Sequence, residues 1–302
     1  LDPEGIVISV DEPDEQYPVI ASNGDEFFVA WESWTGDVTI MGRRVSAAGV
    51  VLDPGAIPIS VGGESPYRPA MTSDGTNFLA VWTDYRTGTD GVFGARIAPD
   101  GTILDPQGIP VSTTPDSKVG PKPSWNGSHY FVAWADQLGT ADWNISGTRL
   151  TAAGEVLDPA GIPISTAAGN QLDPAVASNG SAFLVAWEDE RLGSAEARIY
   201  GSRVGDDGMP LDPSGIAIST TADSRNPALS SNGVDYLVAW EQPGWDIYGA
   251  RVSAGGTVLD PQNIRISAPG GSSQYFADVG YGGAAYFVVW QDGRTDVRYD
   301  AF

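Results

Sequence analysis

The sequence predicts an all-β fold, a six-bladed β-propeller of four-stranded antiparallel blades, on three observations. Leu-Asp-Pro recurs six times, with its aspartate at Asp2, Asp53, Asp105, Asp158, Asp212 and Asp260. A tryptophan closing an apolar run recurs at Trp31, Trp82, Trp134, Trp187, Trp240 and Trp290, in steps of 51, 52, 53, 53 and 50 residues. No segment carries a helical apolar period, and a repeat of about 50 residues built from short apolar runs is the signature of propeller blades.

Each unit reads as four strands. The first follows a proline and ends in a tight turn, as in Pro18-Val19-Ile20-Ala21-Ser22-Asn23-Gly24 and Pro174-Ala175-Val176-Ala177-Ser178-Asn179-Gly180. Asn-Gly or Asp-Gly between apolar runs signals a hairpin whose two turn residues take positive φ. Five copies carry it, and the sixth has Gly282-Gly283. The second strand, such as Phe78-Leu79-Ala80-Val81-Trp82, is apolar throughout, as a strand buried on both faces must be. The third carries Gly-x-Arg, as at Gly94-Ala95-Arg96 and Gly249-Ala250-Arg251. The fourth follows Leu-Asp-Pro and reads Gly161-Ile162-Pro163-Ile164-Ser165. Proline is tolerated there only on an edge, so this strand is the outermost of its blade.

The chain opens with an outermost strand, Gly5 to Ser9, and ends within a third strand at Phe302. A single domain over 1–302 is therefore expected, with blades at about 17–60, 67–112, 121–165, 173–219, 226–267 and 275–302. Residues 1–9 complete the last blade, a one-plus-three closure by the N-terminal strand. With its Ser-x-Asp/Asn-Gly first hairpin, the repeat resembles the blades of TolB-like six-bladed propellers and propeller repeats of large secreted bacterial proteins. That resemblance implies architecture and no activity.

The net charge is −23, from 39 acidic and 16 basic residues. Such a surface repels phosphate backbones, which argues against nucleic-acid and anionic-membrane partners. No apolar stretch reaches the roughly 18 residues of a membrane span. With cysteine absent, there is no disulfide, zinc-thiolate or cysteine-nucleophile chemistry. The chain starts at Leu1-Asp2-Pro3 without a basic-then-apolar leader, so a signal peptide is expected to have been removed or not included.

Candidate chemistry falls into repeated and unrepeated residues. Asp84, Asp136, Asp189 and Asp292 stand two after the core tryptophan, with Arg86, Arg191 and Arg294 two further on. A carboxylate ring of this kind could hold Ca²⁺. Recurrence in blade after blade favours local pairing with the arginines instead. The run Asp11, Glu12, Asp14, Glu15 reads as a solvated loop, and no calcium-loop motif is present. Arg44, Arg96, Arg149, Arg203 and Arg251 read as partners of the Leu-Asp-Pro aspartates. Trp34, Tyr85, Trp143 and Trp245 lie outside the core tryptophan position, in or beside loops of the face where propellers bind ligands. Rigid aromatics near carboxylates suit stacking on sugar rings, so these four are the ligand-binding candidates.

No catalytic residue is assigned. His129 is the only histidine, it follows the Asn126-Gly127 turn, and no Gly-x-Ser-x-Gly elbow accompanies it. The sequence is therefore expected to be a monomeric, non-catalytic extracellular or cell-surface module that binds a glycan or a protein or serves as a scaffold. The alternative is a carbohydrate-active enzyme, hydrolase or lyase, with an acidic site on the ligand face. The two differ in geometry: an enzyme brings unrepeated acidic, tyrosine or arginine residues together, whereas a scaffold shows only blade-repeated polar groups.

Overall fold

The computed structural model describes residues 5–10, 14–34, 36–62, 64–137, 139, 141–244, 246–268, 273–293 and 300–301. Within them the chain is all-β apart from one 3-10 turn at Ser194–Glu196. It divides into two compact units, Leu1–Val132 with Thr148–Gly161, and Ala133–Gly147 with Ile162–Phe302.

The first unit contains two complete antiparallel sheets. One is β1 (Glu15–Ser22), β2 (Glu26–Trp34), β3 (Val38–Ser46) and β4 (Ile57–Pro58), in that spatial order. The other is β5 (Tyr67–Ser73), β6 (Phe78–Asp84), β7 (Gly91–Ile97) and β8 (Ile109–Ser112). Their facing sides form one core in which Phe28, Ala30, Ile40 and Ile59 meet Phe78, Ala80, Trp82 and Phe93. Every residue of β6 is buried, as its unbroken apolar run requires. A third sheet, β9 (Lys118–Trp125), β10 (His129–Asp136), β11 (Asn144–Thr151) and β12 (Ile162–Ser165), has residues in both units.

The second unit holds β13 (Gln171–Ser178), β14 (Phe183–Asp189), β15 (Arg198–Val204) and β16 (Ile216–Ala217) as one sheet. The next is β17 (Arg225–Ser231), β18 (Tyr236–Gln242), β19 (Asp246–Val252) and β20 (Ile264–Arg265). Leu184, Ala186, Ile199 and Ile218 of the former pack on Leu229, Tyr236, Val238 and Trp240 of the latter. The last sheet is β21 (Gln274–Tyr281), β22 (Tyr286–Asp292) and β23 (Asp300–Ala301).

Two sequence motifs now have physical reasons. The Gly-x-Arg glycine lies against the second strand: a Cβ on Gly94 would sit 2.9 Å from the Ala80 carbonyl oxygen. Its arginine forks onto the Leu-Asp-Pro aspartate nine residues on, Arg96 Nε and Nη2 donating to Asp105 at 2.8 and 2.9 Å. The same arginine donates Nη1 to the Ala152 carbonyl, and Arg44 and Arg203 reach Pro99 and Ala254 in the same way. In Gly-Ile-x-Ile-Ser the serine hydroxyl accepts a third-strand N–H, Ile40 to Ser60 at 2.8 Å. Pro58, Pro110 and Pro163 are all exposed on the outer strand.

One expectation is corrected. In the first hairpin only the glycine takes positive φ, as at Gly24, Gly75, Gly127, Gly180 and Gly233. The preceding Asn or Asp contributes its side chain instead, Asn23 Oδ1 accepting the N–H groups of Asp25 and Glu26. Residues 5–10 form no strand, and the last sheet has three strands among the described residues; residues 1–4 and 294–299, which the expected closure by the N-terminal strand also involves, lie outside the described residues. Arg43 of β3 donates its Nη1 to the Ile8 carbonyl at 2.7 Å.

Candidate functional site

The first strand bulges near its start: the ladder register shifts between Leu172 and Ala175, between Arg225 and Ala228, and between Tyr275 and Asp278. In five repeats a proline without an N–H to donate follows the bulge residue, and in the sixth Ala277 stands there. The residue at this bulge adopts left-handed φ in every repeat: Tyr17, Arg68, Gly120, Asp173, Asn226 and Phe276, with φ from 47° to 63°. This turns its N–H toward the residue following the core tryptophan of the preceding sheet. Where that residue is glutamate, the carboxylate accepts the N–H: Arg68 to Glu32 at 2.6 Å, Phe276 to Glu241 at 2.7 Å, and Asn226 to Glu188.

In the second unit these positions gather acids. Glu188 and Glu241 are buried, and Asp173 is exposed. Burial is the main cause that pushes the Glu188 carboxyl up to about 7; Arg225 opposes it, and the charges of Asp173 and Glu190 add to it. Glu241 is also raised, again by burial first, against the hydrogen bonds of the Phe276 N–H and the Asn226 side chain, and with Asp173 adding. Asp173 thus acts electrostatically on both glutamates, and Asn226 binds both.

Arg225 ties the group together. Its Nη1 bonds Glu188 Oε1, its Nε donates to Asp223 at 2.7 Å, its Nη2 to the Ser194 carbonyl at 2.6 Å, and Glu190 lies 3.9 Å away. Glu190 Oε2 accepts Asn170 Nδ2 at 2.8 Å, and Asn170 Oδ1 accepts the Trp143 N–H at 3.2 Å. Arg225, Asp173 and Glu190 have no counterpart of their own type at the matching position of any other repeat. The convergence of unrepeated charged groups is the feature that separates an enzyme from a scaffold.

The four aromatic candidates are distributed as follows. Trp34 ends β2, is exposed, and its side chain hydrogen-bonds Glu32. Tyr85 is exposed just after β6, its N–H on the Glu64 carbonyl. Both belong to the first unit, whereas Trp143 is half-buried in the second, one residue before β11. Trp245 lies outside the described residues.

The aspartate ring is engaged locally. Trp82, Trp134 and Trp187 donate their indole N–H to Asp84, Asp136 and Asp189 at 3.1, 3.1 and 2.8 Å. Arg86 and Arg191 close on Asp84 and Asp189 at 2.6 and 2.7 Å. Burial pushes the Asp84 carboxyl up, but the bonds from Arg86, Trp82 and the Glu64 N–H outweigh it and hold the group below the usual range. Among the described residues no three His, Cys, Asp or Glu side chains are placed to hold a metal ion. The N–H of His129 closes the hairpin turn onto Asn126 Oδ1 at 2.8 Å.

No protein-family model and no curated protein matches this sequence. Among solved structures, the α-L-arabinanase of Penicillium chrysogenum complexed with arabinobiose aligns at 14% identity and TM-score 0.66, over 92% of this chain and 88% of that one. A thermostable family-43 glycoside hydrolase aligns at 13% identity and TM-score 0.50, over 85% and 95%. TolB from Acinetobacter baumannii aligns at 15% identity over 81% and 53%, with a TM-score of 0.45 that lends the TolB-like resemblance no weight. The likenesses to the arabinanase and to the family-43 hydrolase establish the β-propeller fold. They also correct the expectation of a non-catalytic module, because the solved propellers this fold matches include glycoside hydrolases, on the side of the alternative reading.

Proposed function

We propose that the chain is a carbohydrate-active enzyme, a glycoside hydrolase, with its acid–base centre at Asp173, Glu188 and Arg225. The observation that carries this reading is Glu188: a buried carboxyl pushed up to about 7 beside the exposed Asp173 carboxylate and the Arg225 guanidinium. Hydrolysis of a glycoside needs one carboxyl protonated at working pH and a second one ionised. In this reading Glu188 gives its proton to the oxygen of the departing sugar as the anomeric C–O bond breaks. Asp173 takes a proton from the water that forms the new C–O bond. Arg225 holds Glu188 in place. The TM-score of 0.66 to an arabinanase supports a glycan substrate, with an arabinose polymer the first to try.

The same reading takes the six sheets as the blades of one propeller domain over 1–302, a monomer acting outside the cell. No helix among the described residues is long and apolar enough to cross a membrane. Trp34, Tyr85, Trp143 and Trp245 are assigned to glycan contact. Trp143 has the most direct support, through its link to Asn170 and Glu190.

The test is a reducing-sugar assay on arabinan, xylan and other plant polysaccharides. Release of sugar by the wild type, lost by a hundredfold or more in Glu188→Gln and Asp173→Asn with unchanged circular dichroism, is the expected outcome. Undiminished turnover by Glu188→Gln would remove the assignment.

A further inference from the structure

Phe276 occupies the bulge position of the last repeat, with φ 51° and 69% of its surface exposed. Two costs meet in one residue. A bulky side chain at left-handed φ crowds its own backbone, and an exposed phenyl ring is poorly solvated. The left-handed φ belongs to the repeat, being shared by Tyr17, Arg68, Asp173 and Asn226, but the exposed phenyl ring does not, since Arg68, Asp173 and Asn226 fill the position with polar side chains. At the equivalent position of the third repeat stands Gly120, φ 63°, which satisfies the same backbone without strain. An exposed apolar ring where polar residues or glycine suffice points to a contact for its side chain.

The surroundings give that role a chemistry. The Phe276 N–H is fixed on the buried Glu241 carboxylate at 2.7 Å, so the base of the ring is held to the same group that binds the Asn226 side chain and feels the Asp173 charge. The Asn226 amide and the Phe276 backbone held on one buried acid, with the Asp173 charge acting on it and the phenyl ring exposed beside it, form a set suited to a sugar. The ring packs on the apolar C–H face, and the polar groups take hydroxyls. Phe287 and Val289 are also exposed on this sheet, but they lie in regular ladder pairs with ordinary backbone and carry none of the argument.

We propose that Phe276 is a sugar-stacking residue of the Asp173–Asn226–Glu241 group, contacting a pyranose or furanose ring of the bound glycan. It rests on the glycan-active reading above but not on the assignment of Glu188 as proton donor.

The variant Phe276→Gly separates the possibilities, because glycine relieves the strain while deleting the ring. Calorimetric titration with arabinohexaose and xylohexaose, alongside thermal unfolding, is the measurement. Melting unchanged or raised, affinity for at least one oligosaccharide down tenfold or more, and recovery in Phe276→Trp support the proposal. A fall in melting temperature of several degrees would make Phe276 a packing residue and overturn it. So would unchanged affinity, or no binding of either sugar by the wild type. If Glu188→Gln turns over normally while Phe276→Gly loses affinity, only the proton-donor assignment falls. If Glu188→Gln is inactive and Phe276→Gly binds as the wild type does, only the stacking assignment falls.

Discussion

Glu32 reaches from the end of β2 to the bulge of the next sheet, where its carboxylate accepts the Arg68 N–H at 2.6 Å. Arg68 sits at φ 52°, a strained conformation for a side chain larger than hydrogen, ahead of Pro69, which itself disfavours the turn. The bond is what over-determines that geometry, since Glu32 is 1% exposed and its oxygen has no water to return to. The last two sheets repeat the arrangement with Glu241 and Phe276.

Truncating Glu32 to alanine leaves the Arg68 N–H without its buried, charged acceptor, so the expected loss is about 1.5–3 kcal/mol in urea unfolding. Glu32→Gln keeps an acceptor oxygen and loses less. Equal losses in the two variants would show that packing, not the hydrogen bond, fixes the bulge.

Asp189 is the acceptor for both Trp187 Nε1, at 2.8 Å, and Arg191, at 2.8 and 2.7 Å through Nε and Nη2. Asp189→Ala orphans a buried indole N–H and unpairs a guanidinium stacked 3.9 Å over Tyr200, so a loss of about 2–4 kcal/mol is expected. Because the carboxylate is buried, 0.5 M salt (roughly a 4 Å screening length) should change this difference little. A loss that salt abolishes would mean the pair is effectively solvent-exposed.

Gly94→Ala isolates close approach from conformational freedom. The Gly94 backbone is ordinary, but an added Cβ meets the Ala80 carbonyl oxygen at 2.9 Å and Val81 Cγ1 at 3.1 Å. Overpacking of this kind costs about 1–3 kcal/mol. Gly283→Ala is the counterpart: nothing stands within 4 Å, and the φ of +83° alone carries the penalty, about 1–2 kcal/mol. Relief of strain by a local shift at Gly94 would appear as an unchanged melting temperature.

What could be read from sequence was what each repeat states locally. The core tryptophans, the Gly-x-Arg glycine and the arginine–aspartate pairs nine residues apart all recur in type, so their partners are predictable. The bulge recurs only in position. Tyr17, Arg68, Gly120, Asp173, Asn226 and Phe276 share a backbone conformation and no chemistry, and only Gly120 advertises a positive φ. Glu188 and Glu241 were equally hidden, as polar residues ending an apolar strand. A comparison of the position after each core tryptophan (Glu32, Thr83, Ala135, Glu188, Glu241, Gln291) is the signal that would have found them.

The pH dependence of stability tests the Glu188 environment apart from any catalysis. Its carboxyl moves from an ordinary 4.5 to about 7 in the folded chain, with burial the leading cause. Between those two values the native state binds more protons than the unfolded chain, so stability falls as pH rises through that window. The stabilisation is fully present below the lower value and gone above the upper one. A shift of this size corresponds to on the order of 3 kcal/mol. Glu188→Gln removes the titration while keeping the shape and an acceptor for the Asn226 N–H. Arg225 is not orphaned by the change, because Asp223 and the Ser194 carbonyl still hold it. The wild-type minus variant stability should therefore decline from pH 4.5 to 7 and level off beyond it, with the variant the more stable protein at pH 8. Subtracting the two curves cancels the titrating groups that do not interact with Glu188, leaving its own titration and its coupling to Asp173, Glu190 and Arg225. Parallel curves across the window would show that Arg225 keeps Glu188 ionised throughout, and a difference that grows with pH would mean the ion pair prevails over burial.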